Sequence, residues 1–292
     1  MRYEAIDHVI LPVSTLETAA PFERLGLQPT PARGETGAGT LNRIVYLGGA
    51  SNLFCIEFLT LMNAEKFRAN HWQPRLLQAL EQPHGLFAVV LRVSDLGAAL
   101  QELQSKGLPA SIEESTAPDG NKICNVAFLP EHKQMIVNVG LVQYAQSQDV
   151  RQSRLASNGF LDHRLPLKRL DHLAIMAPDL EAATRFWSDT LGIPVSGEVR
   201  TPTMIIRQLR LGDAILELLG PATPDSPVAA RPAGLASMIA VEVPDLPAAV
   251  DQARAAGFTL PDPAAGALPG TRTATISADQ LSGMALQLLE YI

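Results

Sequence analysis

The stretch Arg169-Leu-Asp-His-Leu-Ala-Ile-Met-Ala-Pro-Asp-Leu-Glu-Ala-Ala-Thr-Arg-Phe-Trp187 decides the fold of this chain. It reads as an apolar strand carrying Asp171-His172, a short turn, and a helix capped by Asp179. The same arrangement opens the chain, as Ile6-Asp-His-Val-Ile-Leu-Pro-Val13 followed by Ser14-Thr-Leu-Glu-Thr-Ala-Ala20. Two further copies keep the strand and helix but lack the histidine. One runs from Ala88 through Asp95-Leu96 to Leu108, the other from Ile239 through Asp245-Leu246 to Phe258. Such internal repetition is the signature of a fold assembled from one supersecondary unit.

Each copy has start and stop signals for its helix. Asp95, Asp179 and Asp245, with Ser14 or Thr15 in the first copy, can accept hydrogen bonds from free amides at the helix start. Gly26, Gly107, Gly192 and Gly257 can take the left-handed conformation that ends a helix. Leu96, Leu100 and Leu103 recur at helical spacing and should face a sheet. Strands follow each helix, for example Arg43–Gly48 and Asn52–Leu59, with Gly48-Gly49 as a hairpin turn, and Met204–Leu211 and Ala214–Leu219, joined by Gly212-Asp213. Every unit is therefore strand, helix, then strands, the weakest being the one right after the helix.

The chain has 292 residues, enough for two domains of ordinary size. Residues 1–144 form the first expected domain and 168–292 the second. Between them, 145–167 is rich in Gln, Ser, Arg and Asp and reads as a solvated linker, in part helical. Residues Asn63 to Glu81, with Phe67, Trp72, Leu76, Leu77 and Leu80, read as a helical insertion that either lids a pocket or covers a sheet edge. A net charge of −7 without a basic stripe argues against nucleic acid. No apolar run is long enough to span a bilayer. Cys55 and Cys124 lack metal-like or redox-like spacing, so the expected location is the cytoplasm.

The paired units, opening with Ile6-Asp-His-Val9 and Leu170-Asp-His-Leu173, resemble the vicinal-oxygen-chelate superfamily, which includes glyoxalases, methylmalonyl-CoA epimerases, extradiol dioxygenases and bleomycin-resistance proteins. The first domain, with Gly39-Thr-Leu-Asn-Arg-Ile-Val45, most resembles the glyoxalase-like members. The resemblance implies an α+β fold of two tandem domains, each of two βαβββ units forming a half-open curved sheet with a pocket in its concavity. It also implies four metal-ligand positions per domain. His8 and His172 match the first, and Glu57 and Glu217 the second. Alignment puts Ala88 and Met238 at the third, and Asn138 and Gln287 at the fourth.

Those positions weaken a metal reading. Extradiol chemistry needs two histidines and a carboxylate around Fe(II), and a thioether such as Met238 suits hard ions poorly. His84 and Ser237 are weaker substitutes nearby. Strand alternation still places His172, Ala174 and Met176 on one face, and a buried Glu217 or Glu57 needs a proton, a cation or donors beside it. Thr40, Asn42, Arg43, Arg207, Asn138 and Gln287 are candidate ligand-binding residues. Glu57 and Glu217 are candidate general bases.

Three readings stay open. The first is a glyoxalase-like protein that binds a small organic ligand in the concavity over a degenerate metal site. The second is a lyase, isomerase or ring-cleaving dioxygenase dependent on a divalent metal (Fe, Mn, Ni or Zn) held by His8, Glu57, His172 and Glu217. The third is a structural His–Glu pairing. The expected partner is a small molecule, with no nucleic acid and no membrane, and a homodimer is one assembly open to the chain.

Overall fold

The computed structural model describes residues 3–33, 39–47, 53–70, 74–83, 85–117, 120–234 and 236–292. The expected Gly48-Gly49 turn, Trp72, His84 and the side chain of Ser237 lie outside the described residues.

The first half runs β1 (Tyr3–Pro12), α1 (Ala20–Leu25), β2 (Thr40–Tyr46), β3 (Cys55–Leu61), α2 (Ala64–Asn70), α3 (Pro74–Glu81), β4 (Ala88–Val93), α4 (Leu96–Ser105), β5 (Glu113–Thr116), β6 (Lys122–Phe128) and β7 (Asn138–Tyr144). Then α5 (Gln148–Ser157) leads to β8 (Arg169–Met176), α6 (Leu180–Arg185), β9 (Val195–Arg200), β10 (Met204–Leu211) and β11 (Ala214–Pro221). The last unit is β12 (Ala236–Glu242), α7 (Leu246–Ala255), β13 (Ala264–Ala265), β14 (Thr271–Ile276) and β15 (Ala285–Tyr291). The strands form two curled mixed sheets, in the orders β2-β3-β1-β4-β7-β6-β5 and β13-β14-β15-β12-β8-β11-β10-β9. The fold is α+β, with two tandem half-barrel domains.

The capping signals work as the sequence implies. Asp95, Asp179 and Asp245 accept from the amides of Ala98, Ala182 and Ala248. Such caps satisfy donors that a helix start leaves unpaired. The strand after the helix is short in three of the copies: an isolated bridge between Pro29 and Val45 in the first, four residues in β5 and two in β13.

One face of each sheet carries the helices of the repeat, α1 and α4 in the first and α6 and α7 in the second. Ile6, Val9 and Leu11 on β1, Leu173 and Ile175 on β8, and the helical residues Phe22, Leu100, Phe186 and Val250 belong to one continuous core. The domains therefore dock through their helix-bearing faces and leave the concavities facing outward. The turn between β10 and β11 is pressed against β1: a Cβ on Gly212, whose φ is +61°, would lie 2.2 Å from the Glu4 carbonyl oxygen.

The expected solvated linker is different. The helix α5 buries Arg151 and Leu155, and Leu155 packs with Phe160 and Leu161 on Ile44, Tyr46, Leu53 and Cys55 of the first concavity. Its polar sequence hid a narrow apolar stripe. The insertion α2–α3 packs Phe67, Leu76, Ala79 and Leu80 on another part of that surface, Ile10, Leu59, Ala88 and Val90. On the second concavity Val228 lies on Ala174, Met176, Ile206 and Leu219.

Candidate functional site

A β-bulge organises each site. On β1, Ile6 pairs with Leu91 and His8 with Val90, which leaves Asp7 as the extra residue. On β8, Leu170 pairs with Val241 and His172 with Ala240, which leaves Asp171 extra. Simple alternation would send Asp and His to opposite faces. The bulge instead brings both to one side. His8 Nδ1 lies 2.8 Å from Asp7 Oδ1, and His172 Nδ1 lies 2.8 Å from Asp171 Oδ1.

A tyrosine completes each unit. The Tyr144 hydroxyl donates to Asp7 at 2.7 Å, and the Tyr291 hydroxyl donates to Asp171 at 2.7 Å. These tyrosines end β7 and β15 at equivalent places. Burial and the adjacent aspartate push the Tyr291 hydroxyl up to about 12 and Tyr144 well above its ordinary range.

The other imidazole nitrogen faces the glutamate. His8 Nε2 is 3.8 Å from Glu57 Oε2, and His172 Nε2 is 3.7 Å from Glu217 Oε2. An amide holds the second carboxylate oxygen in both domains. Asn42 Nδ2 donates to Glu57 Oε1 at 2.7 Å, and Gln208 Nε2 donates to Glu217 Oε1 at 2.9 Å. These amides are not copies of one another. Gln208 lies directly opposite Glu217, whereas Ile44 lies opposite Glu57 and Asn42 reaches in from two residues away.

The sites differ in access and in supporting charge. His8 and Glu57 keep 14% and 19% of their side-chain surface, against 6% and 7% for His172 and Glu217. Only the first pair is therefore within reach of solvent to any extent. Asp171 is neutralised by Arg169, which donates to it at 3.0 Å and also to Glu242 at 2.8 Å. The equivalent strand pair in the first domain has reversed polarity: Arg92, in the place of Glu242, bonds Glu4 at 3.1 Å. The cations near Asp7 are thus Arg92 at 3.7 Å and Arg151 of α5 at 4.0 Å, the latter lying over the Tyr144 ring.

These charges set the protonation. Burial alone would push His8 and His172 down. The hydrogen bonds to Asp7 and Asp171, with the charges of those aspartates and of Glu57 and Glu217, outweigh it and hold both imidazoles above 6.5. His163 behaves oppositely: its Nδ1 accepts from the Gln28 amide while Nε2 donates to the Tyr46 carbonyl, and burial pushes it below 6.5. A raised histidine stabilises the fold below its unfolded value and loses that contribution as pH rises through the folded one. A lowered histidine stabilises the fold above its unfolded value and loses it as pH falls. The melting temperature should therefore fall on the alkaline side of 6.5 through His8 and His172, and on the acid side through His163. Thermal melts across pH check this: His172→Gln should flatten the alkaline limb and His163→Gln the acid limb.

The register corrects the expected ligand set. Gln287 pairs with Ala240, whereas Asn138 pairs with Ala88 and the residue matching Gln287 is Gly140. The first domain thus offers His8, Glu57, Ala88 and Gly140, and the second His172, Glu217, Met238 and Gln287. Among the described residues no group of three or more His, Cys, Asp or Glu side chains is arranged to hold a metal ion. Among the described residues these donor sets do not fit the divalent ions expected for such a fold.

The other candidates scatter. Asn42 belongs to the site. Arg43 lies on the helix-bearing face, bonding the Thr30 carbonyl and facing Glu23. Arg207 likewise faces α6, bound to Glu181 and Glu198. These positions put both arginines outside the concavities. Thr40 is buried at the start of β2, and Gln287 donates to Thr275 at 3.3 Å. Asn138 lies at the edge of a separate cavity.

Comparison with known proteins agrees with this geometry. Residues 6–156 match the family model described as a glyoxalase-like domain. The chain belongs to the glyoxalase-like family. Residues 171–275 match the glyoxalase, bleomycin resistance protein and dioxygenase superfamily. Two glyoxalase-family domains thus stand in tandem, within the vicinal-oxygen-chelate superfamily. Human mitochondrial methylmalonyl-CoA epimerase is 40% identical over 90 residues, 29% of this chain and 51% of that protein. The ethylmalonyl-CoA/methylmalonyl-CoA epimerase of Cereibacter sphaeroides is 38% identical over 95 residues, 30% of this chain and 71% of that protein. The chain spans about half the length of the mammalian relatives it matches. A hypothetical protein from Staphylococcus aureus shares the fold over 99% of this chain and all of its own, at a TM-score of 0.66 and 13% identity. A mutant 4-hydroxymandelate synthase from Streptomyces coelicolor does so over 100% of this chain and 93% of its own, at 0.65 and 11%. Among the described residues no helix is long and apolar enough to cross a membrane.

Proposed function

We infer that this glyoxalase-like protein binds a small organic ligand in its first concavity, at the His8–Glu57 pair, over a degenerate metal site. The carrying observation is the donor inventory of the two concavities. Each presents an Asp-oriented imidazole and an amide-held carboxylate, and the remaining positions are Ala88 and Gly140, or Met238 and Gln287. Such a pair can accept a donor at Glu57 Oε2 and offer or take a proton at His8 Nε2. The first pair is favoured because it keeps solvent access.

A second reading has one specific observation in its favour. In both domains Nε2 and Oε2 converge on one space, at 3.8 and 3.7 Å, as two neighbouring ligands of an ion would. This supports a divalent-metal lyase, isomerase or dioxygenase, and the names of the epimerase relatives point toward isomerase chemistry.

Thermal-shift screening of small carboxylic acids, catechols and thiol conjugates tests the first reading. A hit should raise the melting temperature equally with and without chelator, and Glu57→Gln or His8→Ala should remove the shift. Shifts that vanish on chelation, or the failure of every hit to depend on Glu57 and His8, would overturn it.

A further inference from the structure

A second concave space lies apart from both histidines. It is an open groove of about 520 Å³ between α3 and the 130–137 connection that leads into β7, and its walls include Arg75, Gln78, Phe87, His132, Lys133 and Asn138. That volume is within the range of small-molecule sites. Its lining includes neither His8 nor Glu57.

Its charge runs against that of the whole chain. Arg75 and Lys133 face one carboxylate, Glu131, in a protein of net charge −7. The arginine is held in place: Nη1 donates to Asn138 Oδ1 at 2.5 Å and Nη2 to the Leu129 carbonyl at 2.8 Å. Asn138 is itself fixed by donating to the Phe87 carbonyl at 2.9 Å. Glu131 meets Arg75 Nε only at 3.8 Å and is 79% exposed, so it screens the guanidinium weakly. His132 Nδ1 accepts from the Gln134 amide, which assigns the ring proton to Nε2.

The loop is anchored as well. The His132 ring stacks on Phe186 of the second domain at 5.3 Å. A Cβ on Gly234 would lie 1.8 Å from the Ile136 carbonyl oxygen, so backbone of the second domain lies directly against the loop. Phe87, Met135 and Ile136 supply apolar wall. A fixed cation beside apolar surface, in a space of this size, matches an anionic head on an apolar body.

We propose that this cavity is a binding site for a small organic monoanion, a carboxylate or phosphate ester with an apolar body, held by Arg75 and Lys133. Titration calorimetry with benzoate tests it, with benzamide and inorganic phosphate as separate arms. Benzoate should bind saturably, with benzamide and phosphate each at least about tenfold weaker, as expected when a charged hydrogen bond or the apolar contact is removed. Lys133→Gln, at an exposed position that leaves folding untouched, should weaken benzoate several-fold, and Arg75→Gln should weaken it about tenfold or more. Glu57→Gln should leave benzoate binding unchanged. Equal binding of benzamide would overturn the anion assignment, and equal binding of phosphate would overturn the apolar one. Benzoate binding lost in Glu57→Gln but kept in Lys133→Gln would move the anion to the His8–Glu57 pair, sinking this site and leaving the function proposed above intact.

Discussion

Asp171→Ala should lower the unfolding free energy by about 3–5 kcal/mol, the cost of removing one partner from a buried ionic network. Asp171 is 1% exposed and serves three groups at once. His172 Nδ1 lies 2.8 Å away, Arg169 donates at 3.0 Å and the Tyr291 hydroxyl at 2.7 Å. Truncation leaves the Tyr291 hydroxyl without its acceptor, leaves Arg169 with Glu242 alone, and frees the imidazole to rotate away from Glu217. Asp171→Asn keeps the shape and one acceptor and should cost less. Asp7→Ala should also cost less than Asp171→Ala, because Asp7 Oδ2 has no hydrogen bond and its two guanidinium neighbours stand at 3.7 and 4.0 Å. Urea unfolding of the three variants measures this order. A loss below about 1 kcal/mol for Asp171→Ala would show that the network does not hold the second concavity together.

Met238→His should create a metal site in the second concavity, where the described residues offer no complete ligand set. The register places residue 238 across the sheet axis from His172, and Gln287 across from Glu217. A new imidazole there would join His172, Glu217 and the Gln287 carbonyl oxygen in one four-donor set, suited to Zn(II) or Ni(II). Met238 is only half-buried and pairs with the small residues Ala174 and Ala285, so an imidazole can be accommodated. Metal held at about a hundred times its dissociation constant would add about 2.7 kcal/mol of stability. Calorimetric titration with Zn(II) should show one new site in Met238→His and none in Met238→Leu. An equally strong site in Met238→Leu would mean that the native residues already complete a ligand set.

The repeat made the fold legible. Four strand–helix copies with aspartate or threonine caps and glycine stops are local signals, and each corresponds to an element of the two sheets. His8, His172, Glu57 and Glu217 were equally readable, because strand alternation is local too. What escaped the sequence was non-local. The Asp–His contact depends on a bulge, which breaks the alternation that the reading used. Tyr144 and Tyr291 arrive from strands far along the chain, and a tyrosine near a strand end carries no signal of its own. The matching of Asn138 with Gln287 failed by two residues. Such a slip keeps every side chain on its face, so the hydrophobic pattern could not reveal it. Arg43 and Arg207 are candidate ligand-binding cations by sequence, but each pairs across the sheet with a core residue, Phe58 or Leu218, on the helix-bearing face. A helix within residues 145–167 is legible, but its polar composition conceals the buried stripe of α5, whose Arg151 acts at Asp7 through tertiary contact alone.

Among the described residues, neither concavity completes a metal-ligand set. Elemental analysis of the protein purified without chelator tests it most directly. Fe, Mn, Ni and Zn should each be substoichiometric, and unchanged in His8→Ala and His172→Ala. A full equivalent of any of these metals, lost on either substitution, would contradict it.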